Sequence, residues 1–164
     1  MSYCLGCELL SRIAAIAPVA GNMATKYGSA QEVGCRPARP VSVLAIHGTL
    51  DPYAPYAGGY SALGHGTYAS LNDVIGVWRE NDGCAASSSM SVSGLTTTTI
   101  WPCWAGSTVE TKVIAGGQHY LAGSARWDAE SALGYDTRDV FDASAVIADF
   151  FVAHPRTGGT AVSR

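Results

Sequence analysis

An α/β fold with a mainly parallel sheet is predicted by three observations in this 164-residue sequence. Near-continuous apolar runs such as VSVLAIHG mark strands covered on both faces. Segments with apolar residues at helical spacing follow them, as in SLNDVIGVWREND. Strand-like and helix-like stretches alternate, the order that wraps helices around a parallel sheet. About three parallel strands and one hairpin are countable, flanked by helices, which makes a small sheet for this class.

Residues 1–12 read as a helix whose less polar positions are Tyr3, Leu5, Cys7, Leu9 and Leu10. IAAIAPVAG, residues 13–21, is too short and too rich in small residues for another helix and reads as a buried strand entering a Gly turn. The polar stretch 26–40, with Pro37 and Pro40, is predicted as loop, and 41–48 as a buried strand. A Pro- and Gly-rich loop from Pro52 to Gly66 leads to a helix capped by Ser70, with Leu71, Val74, Ile75 and Trp78 on its apolar face, ending near Gly83. Residues 91–104 alternate weakly and suit an edge hairpin; 107–117 read as strand into Gly turn. The last helix, 140–154, stops before Pro155. One domain over 1–155 is expected, with 156–164 a loose tail.

Charged residues are only 14% of the chain and hydrophobic ones 48%, so the exterior must rely on Ser, Thr, Gly, Asn and Tyr. A net charge of −3 with scattered Lys and Arg leaves no basic stripe for nucleic acid and no polybasic membrane patch. No apolar run reaches the roughly 20 residues needed to span a bilayer. The first residues lack a secretory layout. Five cysteines, Cys4, Cys7, Cys35, Cys84 and Cys103, imply two bridges and one leftover thiol. Cys4 and Cys7 have C-x-x-C spacing, but no second pair of ligands follows, so no metal or other cofactor is expected.

Ligands of open α/β sheets gather where strands end at their carboxyl side. VSVLAIHG leads into TLDPYAPY, placing Asp51 four residues past His47; TKVIAGG leads to His119. An Asp and a later His on such loops can act as an activated base, the carboxylate accepting the Nδ1 hydrogen and leaving Nε2 to take a proton. Tyr53, Tyr56 and Tyr120 sit beside them as substrate-binding candidates. His47 reads as a structural histidine; His65 and His154 as loop and helix-end residues. Trp78, Trp101, Trp104 and Trp127 read as core or cover.

RIAAIAPVAG, RPVSVLAIHGTLDPYAPY, the Cys84–Cys103 segment, ETKVIAGGQH and VFDASAVIADFFVAHP, in this order, resemble the polyhydroxybutyrate depolymerase and feruloyl esterase-like branch of the α/β hydrolases. HGTLDPYAPY and GGQH are the most specific pieces. The resemblance implies a truncated hydrolase sheet, Asp51 as triad acid, His119 as triad base and a Cys84–Cys103 bridge. A Cys7–Cys35 pair follows more weakly, leaving Cys4. It also implies a secreted or periplasmic carboxylesterase acting on a small ester or a polysaccharide-linked aromatic ester. Where the branch has Trp-Pro two residues past the histidine, this chain has Leu121 and Ala122.

By the same resemblance MSYCLGCELLSRIAAIAPVAG is the helix and strand that follow a G-x-S-x-G elbow, whose serine would precede Met1. Neither the stretch around Ser61 nor that around Ser124 has the required glycines in full. The two oxyanion-hole amides would also lie outside these residues, and losing one such donor costs roughly 3 kcal/mol of transition-state stabilisation. Three functions are therefore weighed. In the first, Ser2, at the amino end of the first helix, is a surrogate nucleophile for Asp51 and His119. In the second, the chain is an inactive half-domain completed by a partner, with a homo-oligomer across the exposed edge of AAIAPVAG. In the third, Tyr53, Tyr56 and Tyr60 form an aromatic or sugar-binding module.

Overall fold

The computed structural model describes residues 1–9, 12–25, 35–64, 66–123 and 141–156. Its main sheet is built on β3 (Ser42–Gly48), which is buried along its whole length. β3 pairs in parallel with β1 (Ala15–Ile16) on one side and β8 (Thr108–Ile114) on the other. The hairpin β6 (Ser89–Ser93) and β7 (Thr96–Pro102) then extends the sheet, with β7 antiparallel to β8, giving the order β1-β3-β8-β7-β6. Three parallel strands thus carry an antiparallel edge hairpin.

Alternation along β3 builds a layer on each face. Val43 and Ala45 face a core shared with Tyr3, Ile16, Leu71, Val74, Ile75, Trp78 and Val109, contributed largely by α1 (Ser2–Glu8) and α2 (Leu71–Asn81). Leu44 and Ile46 face the other way, onto Ile114, Ala122, Ala143 and Phe150, beneath α3 (Ala143–Ala153). α2 begins where the Ser70 hydroxyl accepts from the Asp73 amide, and α3 where Asp142 accepts from Ser144 and Ala145. Gly6 on α1 is required by packing, since a Cβ there would sit 2.9 Å from the Trp78 ring.

Several elements are shorter than their sequence pattern. α1 ends at Glu8 rather than residue 12. The 13–21 run yields only Ala15–Ile16 as ladder plus a single bridge between Val19 and Ile46. Pro18 sits between these two contacts and has no N–H to give; only its carbonyl takes part, accepting from Ile46. The turn that follows puts Ala20, not Gly21, at positive φ (46°). The loop predicted from Pro52 to Gly66 contains β4 (Gly59–Tyr60), which joins β5 (Thr67–Tyr68) and β2 (Ala24–Thr25) in a second sheet of order β2-β5-β4. Two-residue strands carry no alternation for a sequence reading to detect.

Cys7 is bonded to Cys35 and Cys84 to Cys103, while Cys4 is free and exposed. Cys7 is therefore not a thiolate ligand, and among the described residues no group of three His, Cys, Asp or Glu could hold a metal ion. Trp78 is fully buried and Trp101 lies half-buried under the Arg79 guanidinium. Trp104 is 73% exposed, a surface ring packed on Gly83 rather than core. No helix among the described residues is long and apolar enough to cross a membrane. Trp127, His65, Ser124 and the tail from 157 lie outside the described residues.

Candidate active site

β3 and β8 are neighbours in register, Gly48 opposite Ile114, so the loops leaving their carboxyl ends start side by side. Three hydrogen bonds join those loops: Thr49 N–H to the Ile114 carbonyl at 3.0 Å, Leu50 N–H to the Gly117 carbonyl at 2.9 Å, and Gly116 N–H to the Thr49 hydroxyl at 2.9 Å. They approach so closely that a Cβ on Gly48 would lie 2.2 Å from the Gly117 oxygen. Glycine is required at 48 because another backbone occupies the space of a side chain.

This junction brings Asp51 and His119 together from 68 residues apart in sequence. Asp51 is 4% exposed, yet its carboxylate is well supplied with donors. Its Oδ1 accepts the amides of Tyr53 and Ala54, both at 2.8 Å, in a turn closed by the Asp side chain itself. Nδ1 of His119 lies 2.8 Å from Oδ2 and 3.0 Å from Oδ1. A carboxylate only accepts, so Nδ1 carries the hydrogen and Nε2 is the ring nitrogen with a free lone pair. The His119 side chain is 38% exposed while that of Asp51 is fully buried, so one member of the pair meets solvent and the other does not.

His119 opens onto a cleft of about 500 Å³. Its walls come from Met1, Tyr3 and Cys4 of the α1 region, Ala20–Ala24 of the turn and β2, Tyr53 and Ala54, Leu63, and Tyr68 of β5. The second sheet, unseen in the sequence, thus supplies part of the cleft wall through Ala24 and Tyr68. The Tyr53 ring stands edge-on to His119, centroids 5.3 Å apart. Burial raises the Tyr3 phenol, whose hydroxyl has no hydrogen-bond partner in the structure.

The candidates named from the sequence are distributed unevenly. Asp51, His119 and Tyr53 converge. Tyr56 packs on the α2-side core with its ring 6.2 Å from His47, and Tyr120 packs with the α3-side cluster. Ser2 is the first residue of α1, between cleft residues Met1 and Tyr3, but is not itself among the cleft walls. Tyr60 is 69% exposed on β4. Tyr68, Leu63 and Met23 are wall residues that the sequence reading does not name; Leu63 and Tyr68 are apolar positions in a Gly-rich stretch and Met23 follows the Gly turn after residues 13–21.

A buried carboxylate hydrogen-bonded to an imidazole at the carboxyl ends of adjacent parallel strands, the His119 residue lining a cleft, is an arrangement chemically able to move a proton. No family model matches the chain. The chain is similar to feruloyl esterase B of Piromyces equi, 31% identical over 132 residues. That alignment covers 78% of this chain and 24% of the relative, so the chain spans about a quarter of that protein's length. The kinship is esterase-like.

Proposed function

We propose that this chain carries the acid and base of a serine-type carboxylic ester hydrolase of the α/β-hydrolase kind, acting on small or aromatic esters of the feruloyl type. The observation that carries the reading is the Nδ1–H of His119 held by the buried Asp51 carboxylate at 2.8 Å on neighbouring strand-end loops. The partial similarity to a feruloyl esterase supports the reaction class, and HGTLDPYAPY with GGQH supports the narrower depolymerase and feruloyl esterase-like branch.

In this reading a serine hydroxyl presented from the amino-terminal side of α1 attacks the ester carbonyl while Nε2 of His119 takes its proton. The tetrahedral intermediate expels the alcohol, which receives that proton, and water then repeats the sequence to release the acid. Asp51 keeps the ring in the required tautomer throughout. Ser2 is the hydroxyl to test, and Tyr53 with Tyr68 gives the acyl group an aromatic wall. The two disulfides favour an oxidising compartment, consistent with export. β1 has no partner on its outer edge among the described residues, which supports pairing of copies there; a single monomeric species by light scattering would exclude that assembly.

The test is hydrolysis of an activated short-chain ester and of methyl ferulate by the purified chain beside His119→Ala and Ser2→Ala. Turnover by wild type that disappears in both variants supports the full reading. Loss in His119→Ala alone keeps the base and moves the nucleophile elsewhere. A wild type no faster than His119→Ala leaves the Asp51–His119 pair without a nucleophile in this chain and favours a half-domain awaiting a partner.

A further inference from the structure

His47 lies near the end of a wholly buried strand, is itself 1% exposed, and from its sequence setting reads as a structural histidine. Its surroundings assign it more. Nε2 is 2.7 Å from the carbonyl oxygen of Ala54 and 3.5 Å from Oδ2 of Asp51. Both neighbours are acceptors, so Nε2 must bear the hydrogen. The short contact to Ala54 is a full hydrogen bond and the longer one to Asp51 a weaker electrostatic contact. The opposite nitrogen, Nδ1, is buried with no partner.

Ala54 is therefore held through both of its flanking peptides: its N–H donates to Asp51 Oδ1 at 2.8 Å and its C=O accepts from His47 at 2.7 Å. The residue whose N–H holds the Asp51 carboxylate is thus anchored by His47 through its carbonyl, one peptide further on. We propose that His47 is a positioning residue for the Asp51–His119 pair, acting as a permanently neutral imidazole donor that locks the turn of residues 51–54; the catalytic part of this inference rests on the function proposed above.

Neutrality follows from the site. A second N–H on Nδ1 would be buried without an acceptor, which is costly. Burial lowers the pKa of His47 below the ordinary histidine value, and electrostatic repulsion from the His119 ring adds to that, against the opposing pull of the Ala54 carbonyl and Asp51. Asp51, His119 and Tyr56 are the titratable groups described around the ring. A residue that stays neutral can donate to the turn without competing with His119 for the Asp51 charge.

The experiment has two readouts. Long-range ¹H–¹⁵N spectra of the wild-type chain near neutral pH give the tautomer of His47 directly; a neutral Nε2–H form is expected, and an Nδ1–H form or a cation overturns the proposal even if no variant can be made. The second compares His47→Leu, which removes the donor, with His47→Gln, whose amide N–H can reach the same carbonyl. In the Leu variant the low-field Nδ1–H resonance of His119 should broaden or vanish. Its kcat on the activated ester should fall about ten- to hundredfold, the usual scale for removing a group that orients a functional histidine, with KM little changed. The Gln variant should recover both. A folded Leu variant retaining both the resonance and kcat, or a Gln variant no better than Leu, refutes the positioning role. Should wild type prove inert toward esters, the proposed function fails while the resonance still decides whether His47 holds the pair.

Discussion

Replacing Asp82 by Asn should remove the pH dependence of one part of this protein's stability. Asp82 caps the carboxyl end of α2, fully buried, with Oδ1 accepting the Val41 amide at 3.3 Å and Oδ2 without a partner. Burial raises its pKa from 3.8 to about 7, against the smaller opposing effect of the Val41 hydrogen bond. The folded chain thus holds a proton that the unfolded chain has already released over that interval. The stabilisation this gives is complete below the unfolded value, declines as pH rises, and is gone above about 7. Three pKa units correspond to about 4 kcal/mol as an upper figure. Asn keeps an oxygen for Val41 and cannot ionise, but its amide nitrogen at the unpartnered Oδ2 position leaves one more buried hydrogen without an acceptor than the protonated carboxyl does, costing about 1–3 kcal/mol. Asp82→Asn should therefore be less stable than wild type in acid and more stable by about 1–3 kcal/mol above neutral pH, the balance of those two figures.

Urea unfolding of both proteins, with disulfides intact, across acid to mildly alkaline pH measures this as the difference in midpoints at matched slopes. Taking the difference matters because His47 acts in the opposite sense. Its pKa is lowered on folding, so the stability from its burial is present above about 6.5 and lost as pH falls, equally in both proteins. A difference that stays flat with pH would refute the reasoning, since Asp82 would then ionise alike in both states.

Gly48→Ala forces a Cβ against the Gly117 backbone at 2.2 Å and should destabilise by about 3 kcal/mol or more while lowering ester turnover, read by thermal melting and the ester assay. Replacing Cys84 and Cys103 together by Ala opens a crosslink 19 residues apart in sequence and should cost about 3 kcal/mol of unfolding free energy, read from urea titration. Cys4 is the exposed free thiol and lines the cleft with His119, so a bulky maleimide there should block turnover while Cys4→Ser is indifferent to the reagent. Full activity of the labelled chain would place the substrate path elsewhere.

The elements legible in the sequence are those whose pattern and environment coincide. VSVLAIHG is apolar at almost every position because α1 and α2 cover one face and α3 the other, and Ser70 marks the start of α2 through the hydrogen bond it makes. Asp51 and His119 could be picked out because both follow strands, although their meeting depends on β3 and β8 being adjacent, which no local signal encodes. Asp82 was invisible for a related reason. WREND reads as the polar end of a helix, and only the arrival of Val41 and of Trp104, whose amide donates to the Asp82 carbonyl, closes water out. The roles of Tyr53, Tyr56 and Tyr120 could not be separated by spacing, because one loop turns Tyr53 to the cleft and Tyr56 to the α2-side core, while Tyr120 packs on the α3 side.

The two disulfides are unevenly placed with respect to the sheet. All four bonded cysteines lie in or against the core shared by α1 and α2, and none touches the cluster beneath α3. One side of the protein is thus braced covalently, while α3 is attached through side chains such as Phe150 and the Thr108–His154 hydrogen bond. Under oxidising conditions heat should peel α3 away first, exposing Leu44 and Ile46, and a reductant removes that order of events by putting both sides on the same non-covalent footing.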